Sequence, residues 1–163
     1  MAGVCSPVTI VTTYRDSQPH GTTVSAFASL SLDPPMVSIA LDKRSSLLAS
    51  VLATRRFGVN VLSQDQDNLA MLFARRSADR FSAAEWHLDQ GLPRLPGAAG
   101  WMVCELAQEV RGGDHLLLLG VVTQATPVEV APLVYGHRMF GTHSAFAERL
   151  PRAGDQHAAT PAR

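Results

Sequence analysis

Residues 101–126 read WMVCELAQEVRGGDHLLLLGVVTQAT. Two long apolar runs, Trp101–Val110 and Leu116–Thr126, flank Arg111-Gly112-Gly113-Asp114-His115, and a Gly-Gly-Asp turn between such runs predicts an antiparallel hairpin. Outward from it, VTIVTT, Val8–Thr13, is β-branched, which crowds a helix and suits a pleated sheet. MVSIAL, Met36–Leu41, and FGVNVL, Phe57–Leu62, read as further strands, the latter with Asn60 inside its apolar pattern. Between the first two, RDSQPHG, Arg15–Gly21, concentrates turn formers. In Thr22–Pro35, Val24, Ala26, Ala28, Leu30 and Leu32 alternate with Thr23, Ser25, Phe27, Ser29 and Ser31, giving a small apolar face and a hydroxyl-lined one. Pro34-Pro35 ends that stretch, because two missing N–H groups cannot continue a central ladder.

Helical spacing occurs twice. Leu47, Leu48, Val51 and Leu52 follow the charged turn Asp42-Lys43-Arg44-Ser45, with Ser45 or Ser46 placed to cap the helix; Leu69, Leu72 and Phe73 mark a second helix over Gln66–Arg76. Ala78–Gly100 has little periodicity and reads as turns and a long packed loop, and Leu133–Tyr135 as a short strand. At least five strands, two short helices and no strict β-α alternation predict a mainly β fold with short helices, a barrel or closed antiparallel sheet.

At 163 residues one hydrophobic core is expected. The composition, 46% hydrophobic and 17% charged, is apolar for a small domain and implies either a large core or a surface buried against a partner. Formal net charge is zero, and the basic residues do not interleave with aromatics into the electropositive stripe that nucleic acid requires; Arg75-Arg76 reads as a solvated helix end. No apolar run reaches the ~20 residues that span a bilayer. The N-terminus lacks the basic region and long apolar core of a secretory signal, which predicts a cytoplasmic protein. Cys5 and Cys104 are too few for a disulfide framework and sit in apolar patterns, so both are expected to be buried thiols. His20, His87, His115, His137, His143 and His157 form no tight ligand spacing, and no metal site is expected.

The chain has no GxGxxG, Walker loop, HExxH, CxxC or GxSxG motif. Three features remain. The hydroxyl-lined segment before Pro34 offers groups to a polar heterocycle, though ordinary surface serines on a half-exposed strand give the same pattern. The basic, serine-containing helix entrance at Lys43–Ser46 suits a phosphate, though a lysine beside a serine cap is usually only a good helix start. The Gly113-Asp114-His115 turn pairs an acid with a histidine, more often exposed than catalytic in such a place. Together the first two could hold opposite ends of one phosphorylated cofactor.

In order along the chain, PVTIVTT, HGTTVSAFASLSLDPPMVSIALDKRSS, RRFGVNVLSQDQDNLAMLFA, LPRLPGAAGWMVCELAQEV, GGDHLLLLGVV and PLVY resemble the flavin reductase family with the FMN-binding split β-barrel fold, from Gly3 to about Leu150. Family members usually carry an extra segment before the first of these strands. The resemblance implies one split-barrel domain over residues 1–150 with a flexible tail at 151–163. It implies an NAD(P)H:flavin oxidoreductase that passes hydride from NADH or NADPH to FMN or FAD and supplies reduced flavin to a monooxygenase. It implies a homodimer, with no nucleic-acid or membrane partner. Thr23, Ser25, Ala26 and Ser29 would contact the flavin, Lys43, Ser45 and Ser46 would face its ribityl phosphate, and Asn60 would brace the pocket's backbone. His115, the catalytic candidate, would stand near the flavin and the incoming nicotinamide. The alternative is a non-catalytic split-barrel module that binds flavin or haem, or a structural partner with a decayed pocket.

Overall fold

The strand-forming residues assemble into an almost entirely antiparallel protein in the computed structural model, which describes residues 3–75 and 80–147. In chain order the elements are β1 (Ser6–Pro7), β2 (Thr9–Arg15), β3 (Gln18–Val24), β4 (Phe27–Leu32), β5 (Pro35–Asp42), α1 (Ser46–Thr54), β6 (Arg56–Val61) and α2 (Asp67–Ala74). They continue through β7 (His87–Asp89), β8 (Leu92–Arg94), β9 (Gly100–Gly112), β10 (His115–Pro127), β11 (Val134–Gly136), β12 (Met139–Gly141) and α3 (Ser144–Ala147). Seven strands form the main sheet in the order β3-β2-β6-β9-β10-β5-β4. The mainly β expectation is borne out, and so is the long hairpin, whose turn narrows to Gly113-Asp114 between the paired Gly112 and His115.

The strand order closes the sheet. β3 and β4 lie at opposite ends of it, yet only Ser25 and Ala26 separate them in the chain. An extended residue spans at most ~3.6 Å, so the two outermost strands must approach within a few residue lengths and the sheet must roll into a barrel. Ala40 N–H donates to the Ala26 carbonyl at 3.0 Å, fastening this seam to β5. The barrel is therefore split where the chain crosses from one sheet edge to the other.

Two apolar layers hold the barrel. Val11, Val37, Ile39, Phe57, Val59, Cys104 and Leu118 meet Leu47, Leu48 and Val51 of α1 in one cluster; Val8, Ile10, Leu62, Leu95 and Leu133 meet Ala70 and Phe73 of α2 in another. Successive strand residues point to opposite faces, so β2 serves both clusters, and even its Thr9, Thr12 and Thr13 are buried. Each large buried side chain contributes roughly 1.5–3 kcal/mol relative to its exposed state. Gly58 gives Trp101 its place: a Cβ there would lie 2.3 Å from Trp101 Cη2.

Several local expectations are corrected. The first reversal uses Asp16 and Ser17, both at positive φ, while Pro19 and Gly21 belong to β3. Thr22–Pro35 is not one alternating strand but β3, the two-residue seam and β4; beyond the seam Leu30 and Leu32 face solvent. A register shift between Ser29 and Ser31 further breaks the alternation. Within Ala78–Gly100, His87–Asp89 and Leu92–Arg94 pair as a small hairpin, and residues 78–79 lie outside the described set. Cys104 is buried as expected, but Cys5 is exposed. Arg75 is exposed at the end of α2; Arg76 and the 151–163 tail lie outside the described residues. Among those residues no helix is long and apolar enough to cross a membrane.

Candidate functional site

The barrel seam opens into a cleft of about 690 Å³, a size that accommodates an organic cofactor. One wall is Thr22, Thr23 and Val24 at the end of β3, continued by Ser25 and Ala26. The opposite wall is Ala40, Leu41 and Asp42 of β5 with Arg44, Ser45, Ser46 and Leu47 at the entrance to α1. Ala74, Arg80 and His115 complete it.

Six of the sequence-derived candidates therefore meet in one place: Thr23, Ser25, Ala26, Ser45, Ser46 and His115. Their individual bonds differ from a row of free hydroxyls. Thr23 Oγ1 donates to the Ala70 carbonyl at 2.6 Å and Thr22 Oγ1 to the Phe73 carbonyl at 3.2 Å. Both hydroxyls thus fasten α2 against β3. Ser45 occupies the N-cap of α1 but its side chain makes no capping hydrogen bond, contrary to the expected cap. The first-turn N–H groups, orphaned by helix geometry, consequently have no side-chain acceptor from that residue, and Ser46 and Leu47 of that turn line the cleft.

Ser29, Lys43 and Asn60 do not line the cleft. Ser29 sits on the exposed stretch of β4. Lys43 donates its ammonium to the Gly113 carbonyl and its backbone N–H to the Asp114 carbonyl at 3.0 Å, tying the end of β5 to the β9–β10 turn. Asn60, fully buried, donates from Nδ2 to the Ile10 carbonyl at 3.2 Å and accepts from the Leu95 N–H at 2.8 Å. Those bonds are what a backbone brace makes.

The charges at the cleft are arranged in pairs. Asp42 accepts from the Arg44 backbone N–H at 2.8 Å and from its guanidinium at 3.1 and 2.8 Å, and these bonds hold the Asp42 carboxyl well below the usual carboxylate range. His115 lies opposite Asp42 in the β10–β5 register, and its Nδ1 is 2.7 Å from Asp114 Oδ1. The hydrogen bond from His115 lowers the Asp114 pKa as well. Arg80 differs: Nη1 donates to the Gly21 carbonyl at 2.6 Å, while Nε is buried without a hydrogen-bond partner.

Sequence reasoning passed over Arg44 and Arg80. Arg44 stood in view inside the DKRSS turn, but Arg80 lies in an aperiodic stretch with no local signal. A second cavity, about 780 Å³, lies between the start of β9 and the end of β10 and is bordered by apolar groups such as Trp101, Met102, Val128 and Val130. No group of three or more metal-ligating side chains occurs among the described residues.

The chain matches the model of the flavin reductase like domain over residues 1–144. This chain belongs to the flavin reductase family. It is 37% identical over 136 residues to the reductase component of 4-nitrophenol 4-monooxygenase/4-nitrocatechol 2-monooxygenase of Rhodococcus opacus, covering 83% of this chain and 74% of that one. Identity is also 37%, over 152 residues, to the NADH:riboflavin 5′-phosphate oxidoreductase of Streptomyces pristinaespiralis, covering 87% and 84%. Among solved structures, the NADH:FAD oxidoreductase SgcE6 of Streptomyces globisporus C-1027 in complex with NAD and FAD fragments superposes with a TM-score of 0.83 at 30% identity, covering 94% of this chain and 90% of that one. The flavin reductase described here thus has the split-barrel fold that the sequence led one to expect, and the seam cleft is where its polar side chains converge.

A flavin fits the groups present. The cleft has the necessary volume, a helix entrance whose N-cap side chain makes no bond, and a guanidinium with an unpartnered buried Nε.

Proposed function

We propose that this flavin reductase holds FMN or FAD in the seam cleft and oxidises NADH or NADPH there. The observation that carries the reading is the convergence of the Ser25-Ala26 crossing, the α1 entrance and His115 on one cleft. When bound, the flavin supplies the electron-accepting ring system, so the protein's work is binding, orientation and electrostatics. Ser25 and Ala26, which line the cleft where the barrel ladder is interrupted, would offer polar groups to the ring system. Thr23 shapes that wall by locking α2 to β3. Ser45 and Ser46, at the positive end of α1, hold the phosphate end. His115, steadied by Asp114, stands at the mouth and positions the nicotinamide for hydride transfer. Lys43 and Asn60 support the site from outside it through their bonds to backbone carbonyls and the Leu95 N–H.

A monooxygenase partner would receive the reduced flavin, in keeping with the relation to a monooxygenase reductase component. The flavin reductase acts in the cytoplasm as one domain over residues 1–150, without nucleic-acid or membrane partners. It pairs as a homodimer, for which the exposed Val128 and Val130 beside the second cavity give apolar surface; a strictly monomeric mass in light scattering across a concentration series would refute the pairing. The test of the activity is oxidation of each reduced nicotinamide by purified protein with FMN, FAD or neither. Acceleration that depends on added flavin is expected. Flavin binding without turnover would instead favour the non-catalytic module.

A further inference from the structure

Arg80 sets itself apart from the other cations around the cleft. Arg44 is held by Asp42 through both ends of its guanidinium. Lys43 is turned to the Gly113 carbonyl and does not line the cleft. Arg80 does line it, makes its hydrogen bond to the neutral Gly21 carbonyl, and keeps Nε buried and unpartnered. No carboxylate among the described residues forms an ion pair with it.

A guanidinium stays charged at any physiological pH and presents five donors in a planar fork. Leaving such a donor buried and unsatisfied costs free energy, and the position is stable only if other contacts hold it or a ligand completes it. Gly21 is the contact that holds it here: the carbonyl takes Nη1 and fixes the direction of the fork. The space around Gly21 is also tight, since a Cβ there would lie 2.9 Å from Phe81 Cζ. Phe81 in turn meets Phe73 of α2 edge-on, with ring centroids 4.9 Å apart. The residue that follows Arg80 is therefore packed against the core beside α2.

We propose that Arg80 is a specificity-determining residue that receives a phosphate group of the nucleotide bound in the seam cleft. The proposal rests on the reading of that cleft as the flavin site. A phosphate fits better than a carbonyl or hydroxyl because its oxygens accept from a guanidinium in a charge-assisted, forked geometry. Two bound species carry such a group, the flavin mononucleotide and the nicotinamide dinucleotide, and they are separable by experiment.

The test compares wild type with Arg80→Gln by fluorescence titration of riboflavin and FMN, and by KM for NADH and NADPH at saturating flavin. Loss of one charge-assisted contact weakens binding by about 10- to 100-fold. That loss is expected for FMN with riboflavin changed less than about twofold, which assigns the flavin phosphate. A comparable rise in nicotinamide KM with FMN affinity unchanged also supports a phosphate-receiving Arg80 and assigns the dinucleotide. Equal effects on riboflavin and FMN with an unchanged KM, or no effect at all, overturn the proposal. Should Arg80→Gln fail to fold, Arg80→Lys keeps the charge without the fork and is expected to lower the FMN-to-riboflavin affinity ratio or raise KM; the absence of both effects would overturn the proposal. Wild-type turnover with riboflavin reports separately on the reductase reading, since riboflavin has no phosphate for Arg80 to hold.

Discussion

Replacing Asn60 by alanine tests whether this buried amide braces the backbone or serves the ligand. In the structure its Oδ1 satisfies the Leu95 N–H at 2.8 Å and its Nδ2 reaches the Ile10 carbonyl at 3.2 Å. Both Asn60 and Leu95 are buried, so in Asn60→Ala the Leu95 N–H is left without its acceptor, which costs about 1–3 kcal/mol. The Ile10 carbonyl retains a second lone pair, so losing its bond costs only about 0.5–1.5 kcal/mol. The combined loss is about 2–4 kcal/mol, which for a chain of this size lowers Tm by roughly 5–15 °C. Urea unfolding with an unchanged m-value measures it directly. Because Asn60 does not line the cleft, FMN affinity of the folded variant should stay within about twofold of wild type, well under a 1.4 kcal/mol change. A variant of wild-type stability that has lost FMN binding would refute the bracing role.

Two further outcomes follow from the same geometry. His115→Ala should raise the nicotinamide KM by about 5- to 30-fold, the effect of losing a contact of roughly 1–2 kcal/mol, while flavin affinity stays near wild type; unchanged KM would reduce His115 to a turn residue. Burial pushes the Cys104 thiol up to about 12, so at about pH 8 it stays protonated and unreactive, since the thiolate is the nucleophile. A thiol reagent should then label Cys5 in the native protein and both cysteines after denaturation; equal labelling rates in the native state would contradict the burial of Cys104. The sign for stability follows from the same shift. A folded pKa raised from 9.0 to about 12 means that Cys104 contributes fully below pH 9 and that its contribution declines as pH rises towards 12.

What the sequence made legible was local and periodic. The β9–β10 hairpin could be read because both runs and their turn lie in one continuous stretch. The split of the barrel could not, because hydrophobic alternation runs across Ser25 and Ala26 without a break; the crossing is set by which strands pair, a long-range property. The family resemblance put Ser29 beside the flavin with Thr23 and Ser25, but on the exposed β4 edge it does not line the cleft. Lys43 shows a second limit. Its neighbours Ser45 and Ser46 do border the cleft, but its own direction is set by a carbonyl 70 residues away. Arg80 stands in a stretch without periodicity, so only the fold reveals that it reaches the cleft. The short strands β1, β7, β8 and β12 are two or three residues long, below the length at which alternation can be recognised.

The role proposed for the seam cleft is to bind flavin and bring it to a reduced nicotinamide. Anaerobic stopped-flow mixing of the purified protein and FMN with NADH or NADPH tests this most directly, following loss of oxidised-flavin absorbance, with FAD in parallel. Flavin reduction should be much faster than in protein-free mixtures, saturate with nicotinamide concentration, and slow in His115→Ala. Flavin that binds the protein yet is reduced no faster than in free solution, with either flavin and either nicotinamide, would contradict it.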